Sequence, residues 1–340
     1  MGPPPEPAES GRRPVILPGV RTKECHSVSL ALLMPGQGSQ FVGMGKDLAE
    51  RFPLAAETFR EADDLLGFEL SRLMFEGPED ELVQTRNAQP AILVHSVAVS
   101  RLVADEVSGA TLAAGHSLGE FSAWVAAGSL GLRDALRLVR RRGELMFEAG
   151  TNRPGTMAAV LGLDDAMVAE VCRDASAGAE RDVVVPANLN ARGQVVVSGD
   201  VTAVQRASEA LREAGARRVV PLSVSGAFHS ALMKTAEEGL RVELESVKFG
   251  PARFPVVSNV TARPVRESSE APELLVRQLT SPVRWAESVA VMTAEGVDSF
   301  LELGPGNVLS GLNRRNARGV ATRSLGTADE IEAFLAEENS

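Results

Sequence analysis

Residues 111–128 read TLAAGHSLGEFSAWVAAG, and the fold class follows from the way this stretch turns. TLAAG is short and apolar, as a buried strand is, and GHSLGE leads from it into a helix through Phe121, Ser122, Ala123 and Trp124. The G-x-S-x-G at Gly115–Gly119 therefore sits between a strand and a helix, the setting of a nucleophile elbow. Glycines on both flanks tolerate a cramped backbone. The helix N-terminus would aim free N–H groups and partial positive charge at an oxyanion forming beside Ser117, with the Leu118 N–H as first donor. A tight serine-containing turn without chemistry is the alternative.

Upstream, Ser27–Met34 (SVSLALLM) reads as a buried strand bounded by Pro35-Gly36, and the loop PGQGSQFVGMG follows it. Residues 46–106 carry a helical pattern, with an amphipathic stretch AILVHSVAVSRLV after Pro90, whose fixed φ suits a first helical turn. Alternating strands and helices predict an α/β domain around a mostly parallel sheet. Between Thr156 and Leu222 the order becomes strand, helix, strand, strand, helix, strand. That βαββαβ order is the ferredoxin-like signature and implies a small inserted subdomain. The expected division is a disordered extension over 1–27, a discontinuous catalytic domain of 28–153 and 224–326, the subdomain at 154–223, and a C-terminal helix and tail at 327–340.

Composition narrows the function. At 340 residues and 44% hydrophobic, the chain can bury a large core, as an enzyme does. Cys25 and Cys172 are too few and too far apart for a disulfide framework or a Cys-based metal site, which fits a reducing cytoplasm. No apolar run reaches the roughly 18 residues of a membrane span. The Pro-rich start lacks a secretory apolar core, and Glu6, Glu9 and Glu24 are unlike an acid-poor transit segment. A net charge of −10 disfavours nucleic acid, so an anionic partner must meet a local basic patch. Arg217-Arg218 and Arg314-Arg315 with Arg318 are the candidates.

Ser117 needs a base, and the histidines are His26, His95, His116 and His229. His26 lies in the extension, His95 in a mostly apolar helix, and His116 beside the serine on a turn where neighbouring side chains diverge. His229 follows LSVSGAF and precedes a helix, a good place for a positioned group, although a loop or capping histidine would also sit there. Acids such as Asp182 and Asp200 fall between Ser117 and His229 in the chain, and none has an identifying context. A backbone carbonyl can orient an imidazole equally well.

With PGQGSQ at 35–40, AQP at 88–90, GHSLGEFSAWVAAG at 115–128, RRRGELM at 140–146, GAFHS at 226–230 and GPG at 304–306, the chain resembles the malonyl-CoA:acyl carrier protein transacylases from Ser27 to about Arg315. The resemblance implies a hydrolase-like α/β domain carrying a ferredoxin-like subdomain, and a ping-pong transfer of malonyl from coenzyme A to the carrier's phosphopantetheine thiol, supplying fatty acid synthesis. It makes Ser117 the acylated residue, His229 its base, the Gln278 carbonyl the orienter of that base, and the amides of Gln37 and Leu118 the oxyanion hole. Arg142 would pair with the malonyl carboxylate, which a planar guanidinium grips through two parallel bonds. Gln89 and Met146 would flank the acyl pocket. Asn188 and Asn190 would face the cleft, although Asn after a strand more often serves a turn. Arg217 and Arg218 would lie near the coenzyme A phosphates. A thioester exchange needs no metal and no redox cofactor, coenzyme A entering only as substrate. The expected partners are malonyl-CoA and an acyl carrier protein, with no nucleic acid or membrane, and the chain is expected to be a monomer. Carrier docking would use Arg314, Arg315 and Lys234. The rivals are a serine thioesterase, a stand-alone loader of polyketide synthase carriers, and a non-enzymatic carrier-binding scaffold.

Phe228, in AFH, resembles the malonyl-selective members, since a bulky ring leaves little room for an α-methyl group. Steric exclusion of about 1–3 kcal/mol makes kcat/KM for malonyl-CoA about 5- to 160-fold above that for methylmalonyl-CoA. Comparable turnover of the two thioesters contradicts this.

Overall fold

The computed structural model describes residues 1–2, 29–177 and 182–338. Apart from residues 1–2, the extension expected over 1–27 lies outside the described residues, as do Cys25, His26 and the first two residues of the expected strand at 27–34.

The chain begins with β1 (Leu30–Met34), α1 (Lys46–Arg51), α2 (Pro53–Leu66), α3 (Leu70–Glu76), α4 (Glu79–Leu82) and α5 (Thr85–Leu102). β2 (Leu112–Gly115), α6 (Gly119–Ala126) and α7 (Leu132–Asn152) follow. Next come β3 (Gly155–Leu161), α8 (Asp165–Ser176), β4 (Val184–Ala191), β5 (Gln194–Asp200), α9 (Val201–Glu213) and β6 (Arg218–Pro221). The last third holds α10 (Lys234–Glu245), β7 (Val256–Val257), β8 (Pro264–Val265), α11 (Ala271–Arg277), α12 (Trp285–Ala294), β9 (Ser299–Leu303), α13 (Val308–Asn316), β10 (Ala321–Leu325) and α14 (Ala328–Glu338).

Among the described residues the strands form two sheets. The larger has the order β10-β9-β1-β2-β7-β8, parallel throughout except for the β7–β8 pair. β1 is central, and its last four residues are buried, as expected of a strand covered on both faces. The smaller sheet is antiparallel with the order β4-β5-β3-β6. α8 and α9 cover one of its faces through Val168, Cys172, Val204, Ala207 and Leu211. β4 forms a seam with the segment that leads into α12, where the Leu189 N–H donates to the Val283 carbonyl at 2.9 Å and the Val283 N–H to Ala187 at 2.8 Å.

Two expectations change. Pro90 is not in a first turn: α5 begins at Thr85, which puts the proline inside the helix. Proline leaves the carbonyl four residues back without its helical donor. That carbonyl belongs to Arg86, and Arg140 Nη1 donates to it at 3.0 Å, so a neighbouring helix supplies the missing bond. Nor is α5 amphipathic after Pro90, because residues 90–99 are buried without interruption. α5 is a core helix wrapped by its neighbours. The short strands β8 and β10 were absent from the sequence reading.

The end of β1 and the elbow after β2 meet backbone to backbone. A Cβ on Gly119 would lie 2.2 Å from the Met34 carbonyl oxygen, one on Gly115 would lie 1.9 Å from the Gly119 carbonyl, and one on Gly36 would lie 2.3 Å from the His116 carbonyl oxygen. These are contacts that only glycine permits. Gly119→Ala must therefore push β1 from the elbow, and destabilisation of about 2–3 kcal/mol in urea unfolding is expected. Wild-type stability in that variant would show the contact to be looser than described.

Candidate active site

Strand β2, inside the sheet, delivers Ser117 beyond its C-terminal end, and α6 leaves immediately after it. Ser117 has φ 52°, and His229 has φ 57°. A side chain seldom adopts this left-handed region, and such residues persist only where their surroundings hold them. Asn259 does much of the holding. Its Oδ1 accepts from the Ser117 N–H at 2.7 Å, and its Nδ2 donates to the Gly115 carbonyl at 2.7 Å, so one side chain clamps the elbow on both sides of the turn.

The hydroxyl of Ser117 lies 2.8 Å from His229 Nε2. On its other ring nitrogen, His229 donates Nδ1–H to the Gln278 backbone carbonyl at 2.8 Å. That bond leaves Nε2 as the acceptor facing Ser117. Asp182 and Asp200 are elsewhere, Asp182 on Thr202 and Arg206, and Asp200 on Arg153. Burial, followed by the nearby Arg142 charge, lowers the His229 pKa to about 3, so its imidazole is neutral at physiological pH.

Arg142, on the inward face of α7, is 1% exposed. Its Nη1 donates to Gln89 Oε1 at 2.6 Å, and its Nη2 to Gln278 Oε1 at 2.9 Å and to Ser117 Oγ at 3.1 Å. Gln89 in turn donates to Met146 Sδ at 3.4 Å. Ser117, His229, Arg142, Gln278, Gln89 and Met146 thus converge. Burial lowers the Arg142 pKa to about 10, leaving it a cation. Its neighbours in RRR differ: Arg140 bonds Glu144 and Asn87, and Arg141 pairs with Glu144 and Glu148, so neither is simply solvated.

The loop after β1 folds over the elbow through the Gly36 contact with His116, and the Gln37 side chain is anchored by Nε2 donating to Thr85 Oγ1 at 2.8 Å. Phe228 is buried, packing against Gly226. His116 points away from Ser117, lying 2.8 Å from Asn190 Oδ1 and tilted against Trp285. Asn188 and Asn190 are in strand β4, not in a turn. Asn188 sits in the seam opposite Val283. Arg217 lines a groove of about 620 Å³ with Arg192, Arg315 and Arg318, whereas exposed Arg218 is not part of that lining. Lys234 is ion-paired with Glu237 at 2.8 Å. Among the described residues no His, Cys, Asp and Glu cluster could hold a metal ion, and no helix is long and apolar enough to cross a membrane.

Sequence reasoning missed Glu120, Asn259 and the Gln278 side chain. Gln278 Nε2 donates to the Ser117 carbonyl at 3.0 Å and to Glu120 Oε2 at 2.7 Å, so this residue touches serine, arginine and base at once. A lone acid inside the otherwise apolar GEFSAWVA was a visible mark of Glu120; Asn259 carried none.

Fold and sequence together define an α/β acyltransferase, and the acyl transferase domain family matches residues 32–328. The malonyl CoA-acyl carrier protein transacylase of Bacillus subtilis (strain 168) is 47% identical over 91% of this chain and 98% of that protein. The enzyme of the same name from Escherichia coli (strain K12) is 45% identical over 90% and 98%. An acyl carrier protein S-malonyltransferase from Vibrio cholerae superposes with a TM-score of 0.84 at 42% identity, covering 90% of this chain and 99% of that one. A malonyl-transacylase solved in complex with its type II PKS acyl-carrier protein gives a TM-score of 0.86 at 42% identity, covering 91% and 99%. The chain belongs to the malonyl CoA-acyl carrier protein transacylases.

Buried neutral histidines make stability depend on pH. His229 has its pKa lowered to about 3, and His95, wholly buried on α5, to about 4, in both cases chiefly by burial. Unfolded, both bind a proton near the ordinary 6.5, whereas the folded chain does not. Their contribution is therefore complete above about pH 6.5 and is lost as pH falls, by about 1.4 kcal/mol per pH unit for each. Glu120, whose carboxyl burial raises to about 7, works in the opposite direction over the same range, so the comparison is with a variant: the wild-type urea midpoint should fall more steeply between pH 6.5 and 4.5 than that of His95→Gln, and equal slopes would show an imidazole that protonates without unfolding.

Proposed function

We propose that the chain moves the malonyl group of malonyl-CoA to the phosphopantetheine thiol of an acyl carrier protein through a malonyl-Ser117 ester, supplying fatty acid synthesis. One observation carries this reading: Ser117 Oγ is within hydrogen-bond reach of both a neutral imidazole, at 2.8 Å, and a buried guanidinium, at 3.1 Å. A site for neutral acyl chains gains nothing from a cation in its dry interior, where an unmatched charge is costly. An acyl group ending in a carboxylate supplies the match.

In the first half-reaction Ser117 Oγ bonds to the thioester carbon and its proton passes to His229 Nε2. The oxyanion faces the amides of Gln37 and Leu118, the C–S bond breaks, and the departing sulfur takes the proton from His229. The carrier's thiol then gives its proton to His229, attacks the ester, and Ser117 Oγ recovers a proton. His229 begins each half as acceptor and ends as donor, as its Gln278-fixed tautomer requires. Arg142 holds the carboxylate, with Gln89 and Met146 beside it and Phe228 limiting the α-substituent.

The finer structural reading belongs to the same proposal. The order β4-β5-β3-β6 with its two covering helices supports a ferredoxin-like subdomain over 154–223, set into a hydrolase-like domain of 28–153 and 224–326. The arginines Arg192, Arg217, Arg315 and Arg318 support an anionic contact for coenzyme A phosphate or the carrier at their groove. We place the enzyme in the cytoplasm as a monomer without metal or redox cofactor. Likeness to the transacylase in complex with a type II PKS acyl-carrier protein keeps a polyketide carrier as the second reading.

The test follows labelled malonyl from malonyl-CoA with and without carrier. Carrier-dependent label transfer is expected, and carrier-independent hydrolysis at the same rate would make the chain a thioesterase. Arg142→Ala should lower kcat/KM for malonyl-CoA relative to acetyl-CoA by about 10²-fold, and Arg142→Lys should restore little of it.

A further inference from the structure

Glu120 opens α6, three residues after the nucleophile, and is 1% exposed. Its Oε2 accepts from Gln278 Nε2 at 2.7 Å and from the Asn259 N–H at 3.1 Å. Its Oε1 is buried without a partner among the described residues. The opposite end of the Gln278 amide accepts from Arg142 at 2.9 Å. One amide therefore lies between a buried carboxyl and a buried guanidinium, its N–H toward the first and its oxygen toward the second.

Hydrogen bonding alone does not require an acid here, because a glutamine oxygen could accept both bonds. What only the carboxylate adds is charge, and the buried cation near it is Arg142. Among the described residues Arg142 makes no direct ion pair, and its Nε has no acceptor. Resting on the reading that this site takes malonyl, we propose that Glu120 is a specificity-determining positioning residue: through Gln278 it balances Arg142 in the empty site, and it takes a proton when the malonyl carboxylate claims that guanidinium. Two carboxylates facing one cation in a dry pocket repel, and uptake of one proton at Glu120 restores neutrality.

The surroundings isolate this pair. β1, β2 and β7, packed against α6, carry no titratable side chain. α5 carries His95, Arg86 and Arg101; His95 is neutral, Arg101 pairs with Glu61, and Arg86 lies at the surface. On α7 the other charged residues are at least partly exposed, and Arg142 alone is buried. In the adjoining loops His229 and His116 are both held below the ordinary histidine range. Burial raises the Glu120 carboxyl to about 7 against the bonds from Asn259 and Gln278 and, less strongly, the Arg142 charge, so its proton is exchangeable under working conditions.

The sign follows. As pH falls, Glu120 becomes neutral, Arg142 loses its counter-charge, and malonyl binds more tightly, whereas an acetyl group is indifferent. The experiment measures kcat/KM for malonyl-CoA and acetyl-CoA from about pH 6 to 8.5 in wild type and Glu120→Gln. The wild-type malonyl-to-acetyl ratio should fall about tenfold as pH rises, and in Glu120→Gln it should stay flat at the wild-type acid level. A flat wild-type ratio, or a Glu120→Gln ratio that keeps the wild-type slope, overturns the proposal. Should Glu120→Gln not fold, calorimetry of malonyl-CoA binding to Ser117→Ala in two buffers of different ionisation heat decides. A fraction of a proton taken up beyond that seen with acetyl-CoA is expected; equal uptake overturns it. Wild-type enzyme that transfers no malonyl would refute the proposed function itself.

Discussion

A guanidinium taken wholly out of water must find acceptors for its N–H groups, or the fold loses more than it can recover elsewhere. Arg142 is among the largest fully buried side chains, and the site is built around meeting its demand. Gln89, Gln278 and Ser117 accept its terminal donors, and Gln278 passes the polarisation on to Glu120. The same charge helps keep His229 neutral and therefore able to accept a proton. Recognition and proton transfer are linked through one cation.

This arrangement also needs the backbone to approach itself closely. Gly36 and Gly119 let the end of β1 and the loop after it lie against the elbow at His116, and Gly115 lets the elbow close on itself. Two non-glycine residues with positive φ, Ser117 and His229, face each other across the site. Conformations of that kind cost about 1–3 kcal/mol each and persist where other contacts determine them. The Asn259 clamp on both sides of Ser117 and the Gln278 carbonyl on His229 are such contacts. Rigidity at the reacting atoms thus comes from side chains that do not themselves take part in bond exchange.

The strand–elbow–helix passage was legible in the sequence because each step has a local cause: an apolar run, paired glycines, then a helical face. The β3–β6 region was legible for the same reason, its short apolar runs and two helical stretches giving the order of strands and helices that the structure has. Pro90 misled, because a first-turn proline and an interior one look alike until Arg140 is seen to satisfy the Arg86 carbonyl. The two-residue strand β8 is too short to carry a period of two. Asn259 and the side chain of Gln278 are separated from Ser117 by well over a hundred residues, and their roles arise from tertiary approach alone. Glu120 stood in plain view beside the serine motif, but its meaning depends on Arg142 lying across the Gln278 amide.

The central claim is that Ser117 carries an acyl group whose carboxylate is held by Arg142. Its most direct measurement is peptide-resolved mass spectrometry of the enzyme trapped after brief exposure to malonyl-CoA without carrier. The account predicts a malonyl ester on the peptide containing Ser117, absent in Ser117→Ala and much reduced in Arg142→Ala while acetyl-CoA still labels that variant. A malonyl adduct on another residue, or labelling by malonyl-CoA that is indifferent to loss of Arg142, would contradict it.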